Sequence, residues 1–112
     1  MAARIRIAGH EVPFAVNVVD GRHELTIGES TLIEGTNGCF VGGSHRQTNR
    51  LPDVIRGQMS SEDYVAELKR SVDVRFAVHK FRGLPAKETC ERLARQARRY
   101  CRRRPWLWYE TR

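Results

Sequence analysis

Apolar and polar residues alternate with period two through the start of the chain. Ile5 and Ile7 enclose Arg6, Phe14, Val16 and Val18 are separated by Ala15 and Asn17, and Leu25 and Ile27 flank Thr26. Successive side chains of an extended strand point to opposite faces, so each run predicts a strand with one apolar side. Ala8-Gly9-His10 and Asp20-Gly21 lie between the runs, and an Asp-Gly pair tolerates the positive φ angles of a tight hairpin turn. A longer punctuation, Glu34-Gly35-Thr36-Asn37-Gly38, leads into Cys39-Phe40-Val41, which reads as a buried strand closed by Gly42-Gly43. The first half thus predicts an antiparallel meander of about four strands, and a sheet with one apolar face needs a cover.

The pattern then changes. Residues 44–59 are polar and carry Asn49, Pro52 and Gly57, which predicts a loop with a short strand at Val54-Ile55. Ser60 followed by Asp63 offers an N-cap and an acidic first turn, so a helix is expected over about 61–70. Two periods compete beyond it. Val72, Val74, Phe76 and Val78 alternate with Asp73, Arg75 and Ala77, yet Val65, Leu68, Val72 and Phe76 keep helical spacing; the β-branched content favours a strand for 72–81. The last helix is the clearest element. Gly83 breaks the chain, Pro85 suits the first helical position, and Cys90, Leu93, Ala94, Ala97, Tyr100 and Cys101 recur at spacings of three and four. Pro105 ends it, and Trp106-Leu107-Trp108-Tyr109 follows. The expected fold is α+β, a small antiparallel β-sheet followed by C-terminal helices. It forms a single domain over 1–112, with a sheet half (1–57), a helical basic half (60–104) and an aromatic tail (105–112).

Charge placement adds a functional expectation. Residues 1–81 hold ten Lys/Arg and ten Asp/Glu, whereas residues 82–112 hold ten Lys/Arg and three Asp/Glu, so the whole formal charge of +7 sits in the last quarter. Charge of one sign opposes compaction unless an anion neutralises it, which points to a polyanionic partner, DNA or RNA. Arg92, Arg95, Arg99 and Arg102 fall on neighbouring faces of the last helix and form a ridge about 15 Å long at ~1.5 Å rise per residue, with Arg103 beyond it. A solubilising face mixes both signs. Here the acids Glu88 and Glu91 stand near the helix start, where the dipole favours them. Trp106, Trp108 and Tyr109 have two readings, a platform that stacks single-stranded bases or a staple that packs on the domain or a second subunit; packing is favoured because Trp buries a large area.

Other chemistries find little support. His10, His23, His45 and His79 lie far apart, and no Cys or His pair has zinc-site spacing, so no metal is expected. Cys39, Cys90 and Cys101 read as reduced thiols, and nothing beside Cys39 supplies a base. Gly42-Gly43-Ser44-His45-Arg46 is a contact loop and not a P-loop, since no Lys-Ser/Thr pair opens a helix after it. No paired carboxylates or Ser-His-Asp order suggest catalysis, and no cofactor is implied. No apolar run approaches the roughly 18 residues of a membrane span, and the first residues lack a signal core, so a cytoplasmic protein is expected.

The segment 25–48, LTIGESTLIEGTNGCFVGGSHRQT, resembles the SpoVG family of small bacterial regulators. Ile33, Glu34, Gly35, Gly38, Phe40, Val41, Arg46 and Thr48 fall in register with the family pattern, and Asp53-Val54 stands where its later Asp-Ile pair would. Met-Pro of that pattern is replaced by Gly43-Ser44, and its second basic position is Gln47. The resemblance covers residues 4–56. It implies a β-sheet domain that dimerises, followed by helical structure, in a regulator that binds nucleic acid, with Arg46 as a basic contact beside the sheet. It also implies that Phe40 and Val41 are buried and that Gly35 or Gly38 holds a special backbone angle. Together the residues predict a non-catalytic nucleic-acid-binding protein whose phosphate contacts come from Arg46, Arg92, Arg95, Arg99, Arg102 and Arg103. The alternative is a phage-type or accessory protein-interaction factor that docks its basic helix and Trp tail on an acidic protein partner.

Overall fold

The computed structural model describes residues 3–46 and 48–104. Trp106, Trp108 and Tyr109 lie outside the described residues, and so does the choice between packing and stacking. Five strands, β1 (Ala3–Ile7), β2 (His10–Val19), β3 (Arg22–Ile27), β4 (Ser30–Glu34) and β5 (Phe40–His45), form one sheet in chain order, every neighbour antiparallel. The first two turns follow from their residues. Ala8 and Gly9 have φ of 51° and 80°, Asp20 and Gly21 of 52° and 77°, the paired positive angles of two-residue hairpin loops whose twist matches the strands. The sheet has one strand more than the pattern predicts. Gly28, at φ 59°, turns the chain into β4, which alternates as a strand but places only Ser30 and Leu32 in the core, too little apolar signal to stand out.

Register brings the apolar residues onto one face. Ile5 stands opposite Val12, Phe14 opposite Ile27 and Leu25 opposite Leu32, and all six are buried with Phe40. The other face carries small and polar residues, among them Thr26 and Thr31, whose hydroxyls meet at 3.2 Å. At the far end of the β3–β4 pair the His23 ring and backbone N–H approach Glu34 Oε1 at 2.7 and 3.2 Å, hydrogen bonds that hold the Glu34 carboxyl below its usual range.

Helices cover the apolar face. A short α1 (Leu51–Ile55) replaces the strand expected at Val54-Ile55, because Pro52 suits the first helical turn and the Asn49 side-chain oxygen accepts from Leu51 N–H at 3.1 Å. Then α2 runs Ser61–His79, its Ser60 hydroxyl accepting from Asp63 N–H at 3.0 Å as the sequence predicts. The strand expected over 72–81 is not formed. The N-capped helix meets no Gly or Pro before Gly83, and it buries Val74 and Val78 one turn apart while leaving Val72 and Phe76 exposed, the reverse of a single-faced strand. Finally α3 (Ala86–Arg102) begins one residue after Pro85, which serves as its N-cap, and buries Ala86, Cys90, Leu93 and Ala97 against the sheet.

The expectation for Val41 also changes. Phe40 is 1% exposed, but Val41 is 53% exposed, because consecutive strand residues face opposite sides and Phe40 takes the core side; Val41 is also the extra residue where the β4–β5 register shifts at Ile33/Glu34. Gly38 holds a positive φ of 81°, whereas Gly35 is constrained by space, a Cβ there falling 2.5 Å from Val41 Cγ2. At Gly43 a Cβ would come 2.4 Å from the Thr31 carbonyl oxygen, while at Gly42 nothing lies within 4 Å. Urea unfolding should therefore show Phe40→Ala costing about 3–5 kcal/mol and Val41→Ala no more than about 0.5 kcal/mol. Gly43→Ala should destabilise clearly and Gly42→Ala should not. Equal costs at the two glycines would refute the close β4–β5 approach.

Candidate nucleic-acid interface

The direction of α3 is set at its start. Gly83, at φ 84°, lets the chain double back so that Gly83 N–H donates to Phe40 O at 2.8 Å, Phe40 N–H to Leu84 O at 3.0 Å and Ala86 N–H to Gly38 O at 2.8 Å. The 83–86 segment thus pairs with the beginning of β5 and delivers α3 onto the sheet. Its far end is tied to the opposite edge. The Cys101 thiol donates to Arg4 O at 3.5 Å, the Tyr100 hydroxyl donates to Glu11 at 2.5 Å, and the Arg104 guanidinium lies 3.7 Å from the Tyr100 ring centre. Burial, with the bond to Glu11, pushes the Tyr100 phenol above its usual range.

Because one stripe of α3 is committed to the core, its arginines have to face water. Arg92, Arg95, Arg98, Arg99, Arg102 and Arg103 are all exposed, and none of them has a carboxylate within 4.0 Å among the described residues. Other arginines are paired, Arg50 with Asp53 at 2.6 Å and Arg70 with Glu29 at 3.2 Å. Arg99 and Arg102 sit in the last turn, where cations favour the helix dipole. The arginines predicted from sequence to form a ridge are thus one exposed, unpaired set on one helix.

Arg46 is not part of it. It follows β5, the edge opposite β1, its N–H donating to Glu29 O at 2.8 Å, and four strand spacings of ~4.8 Å separate those edges by about 19 Å. Its side chain borders a small hollow that also contains Glu29, Glu67, Arg50 and Arg70, so both signs are present there. A different cationic group lies between β5 and α2. Arg75, His79 and Arg82 face His45 across a cleft of about 220 Å³. Sequence reasoning missed it because a strand over 72–81 holds Arg75 and His79 about 13 Å apart at ~3.3 Å per residue, whereas on α2 they are neighbours one turn apart.

All three cysteines are free. Burial pushes the Cys90 thiol up to about 11, with the charges of Glu34 and Glu91 adding to it, while Cys39 is only half-buried. No group of three or more His, Cys, Asp or Glu that could hold a metal ion occurs among the described residues. No helix there is long and apolar enough to cross a membrane. Comparison with family models, with curated proteins and with solved structures returned no match.

A thiolate is the reactive form, so a disulfide reagent at neutral pH should label Cys39 fast and Cys90 only on the timescale of unfolding. Cys39→Ser should remove the fast phase; rapid labelling of Cys90 in that variant would contradict its burial between α3 and the sheet.

Proposed function

We propose that this chain is a small nucleic-acid-binding protein, a regulator without catalytic activity, that contacts the phosphate backbone of DNA or RNA through α3. One observation carries the reading: six exposed arginines, five on α3 and Arg103 at its C-cap, none with a carboxylate within 4.0 Å among the described residues. Guanidinium groups spread over about 15 Å can reach several successive phosphates of one strand. Each contact releases condensed counterions and reads no sequence, so this surface gives affinity and positioning. The SpoVG-like residues of the first half support the same class of function, a cytoplasmic regulator.

A second surface favours a protein partner. Val65, Val72 and Phe76 are 61%, 49% and 68% exposed at spacings of seven and four on α2, an apolar stripe turned away from the sheet. A homodimer is the partner that fits the proposal best, since two copies bring two α3 ridges to one duplex. The competing reading is an interaction factor whose basic helix docks on an acidic protein. Nuclease treatment separates them: a bound absorbance at 260 nm removed by nuclease supports nucleic acid, and a stoichiometric protein retained after nuclease supports the alternative.

Replacing Arg95, Arg99 and Arg102 together with Gln should leave the fold intact, because none touches the core. Duplex affinity should fall alike for all sequences, and the slope of log affinity against log salt should become shallower by roughly 0.9 per lost contact, about 2.7 in all. An unchanged slope in the folded variant would remove α3 from the interface.

A further inference from the structure

The cleft between β5 and the C-terminal half of α2 has no place in the α3 interface, yet it is a cationic site on its own terms. Its walls carry Arg75, His79, Arg82 and His45, and no carboxylate lines it among the described residues. This fold does pair arginines where carboxylates are at hand, as at Arg50 and Arg70. Among the described residues Arg75 has no hydrogen-bond or ion-pair partner, and the Arg82 side chain donates to Val41 O at 3.3 Å. A guanidinium offers five N–H donors in a planar fork, so most of that capacity remains open.

The frame around these groups is fixed. Both His45 ring nitrogens are engaged, Nδ1 with the Ser30 hydroxyl at 2.9 Å and Nε2 with the Ser71 hydroxyl at 3.2 Å, which ties β5 to β4 and to α2. Ser30 and Val78 beneath are 4% and 2% exposed. Gly43 contributes no side chain to the cleft, and the Thr31 carbonyl forbids one. A volume of about 220 Å³ falls short of the roughly 300–1,000 Å³ of pockets that enclose drug-sized ligands, so the occupant is a compact group. Arginine forks recognise one compact anion best, the tetrahedral phosphate, through paired N–H···O bonds.

We propose that this cleft is a phosphoryl-binding site, with Arg75 and Arg82 as the main donors and His79 completing the set. The site stands apart from the α3 ridge and does not require that ridge to bind nucleic acid. Two sources present the same chemistry, a phosphate of a nucleic-acid strand and a small phosphorylated molecule or free phosphate.

The test is an amide chemical-shift titration of the full chain with inorganic phosphate, at ionic strength held constant with chloride. Saturable shifts centred on Ser44, His45, Arg75, His79 and Arg82 are expected, with apparent affinity lowered at least about tenfold in Arg75→Gln/Arg82→Gln. Because Arg82 also bonds the β5 backbone, Arg75→Gln/His79→Asn provides a second variant that leaves that bond in place. Absence of saturation at these amides, or shifts that survive in both variants, overturns the proposal. Displacement of phosphate by a DNA or RNA duplex identifies a nucleic-acid strand as the source, and displacement by a nucleoside monophosphate but not by a duplex identifies a small ligand; either upholds the site. Phosphate binding in a protein that fails to bind any duplex upholds the cleft and defeats the α3 reading. Duplex binding with no phosphate response at the cleft does the opposite.

Discussion

Because β1 to β5 are apolar on one side only, the sheet cannot exist as a stable layer until helices cover that side, and the placement of every charged group follows from how they do it. Ile5, Val12, Leu25, Ile27 and Phe40 are each all but removed from water, at about 1.5–3 kcal/mol per fully buried large side chain. Val74 and Val78 of α2 and Cys90, Leu93 and Ala97 of α3 supply the other half of that contact. The pairing of 83–86 with the start of β5 fixes where the second helix enters. At the other end, Cys101 reaches β1 and Tyr100 the start of β2, so α3 spans the sheet under constraint at both ends.

Commitment of one helical stripe to the core leaves the rest of α3 no choice of surroundings. Residues spaced between the buried positions point to solvent, and this chain has filled them with arginine. Six like charges over a short helix repel one another, but full hydration and screening over a Debye length of about 8 Å keep that cost small. The last-turn arginines also recover some of it from the helix dipole. Salt bridges would recover more. Four carboxylates are engaged elsewhere, Asp53 on Arg50, Glu29 on Arg70, Asp73 on His10 and Glu34 on His23, and the two on α3 itself, Glu88 and Glu91, stand in its first half with no arginine within 4.0 Å among the described residues.

How much of this was legible in the sequence depended on whether local chemistry and tertiary demand agreed. The Asp20-Gly21 turn, the Ser60 cap and the α3 stripe could be read directly, because a positive φ, an N–H acceptor and a repeat near 3.6 residues each leave an unambiguous residue signature. The second half of α2 could not. Its valines satisfy two periods at once, and the choice was made by continuity with the capped helix and by the need for a cover, neither of which a β-propensity argument contains. The same misreading concealed the Arg75 and His79 pair. Val41 differs for another reason: a short apolar run suggests burial on both faces, but the sheet is covered on one side only, so of the adjacent Phe40 and Val41 one has to face out. The ridge, by contrast, needed only helical spacing and the sign of the charges, while the separation of Arg46 from it required the strand order.

The two cationic features differ in physical kind. On α3 each guanidinium is solvated and independently mobile, so on the proposed reading its contribution to binding is additive, strongly salt-dependent and indifferent to what lies between the phosphates. In the cleft the donors converge on one volume, framed by a His45 ring whose two nitrogens are already held by Ser30 and Ser71. Donors gathered around one small volume can engage a single phosphate together, whereas those of an open helix face meet successive phosphates one at a time. A ridge of the first kind attracts and aligns a polymer, and a cleft of the second kind can fix its register by capturing a single phosphate. With β1 and β5 about 19 Å apart across the sheet, an occupant engaging both would have to be extended, which a nucleic-acid strand is and a free phosphate is not.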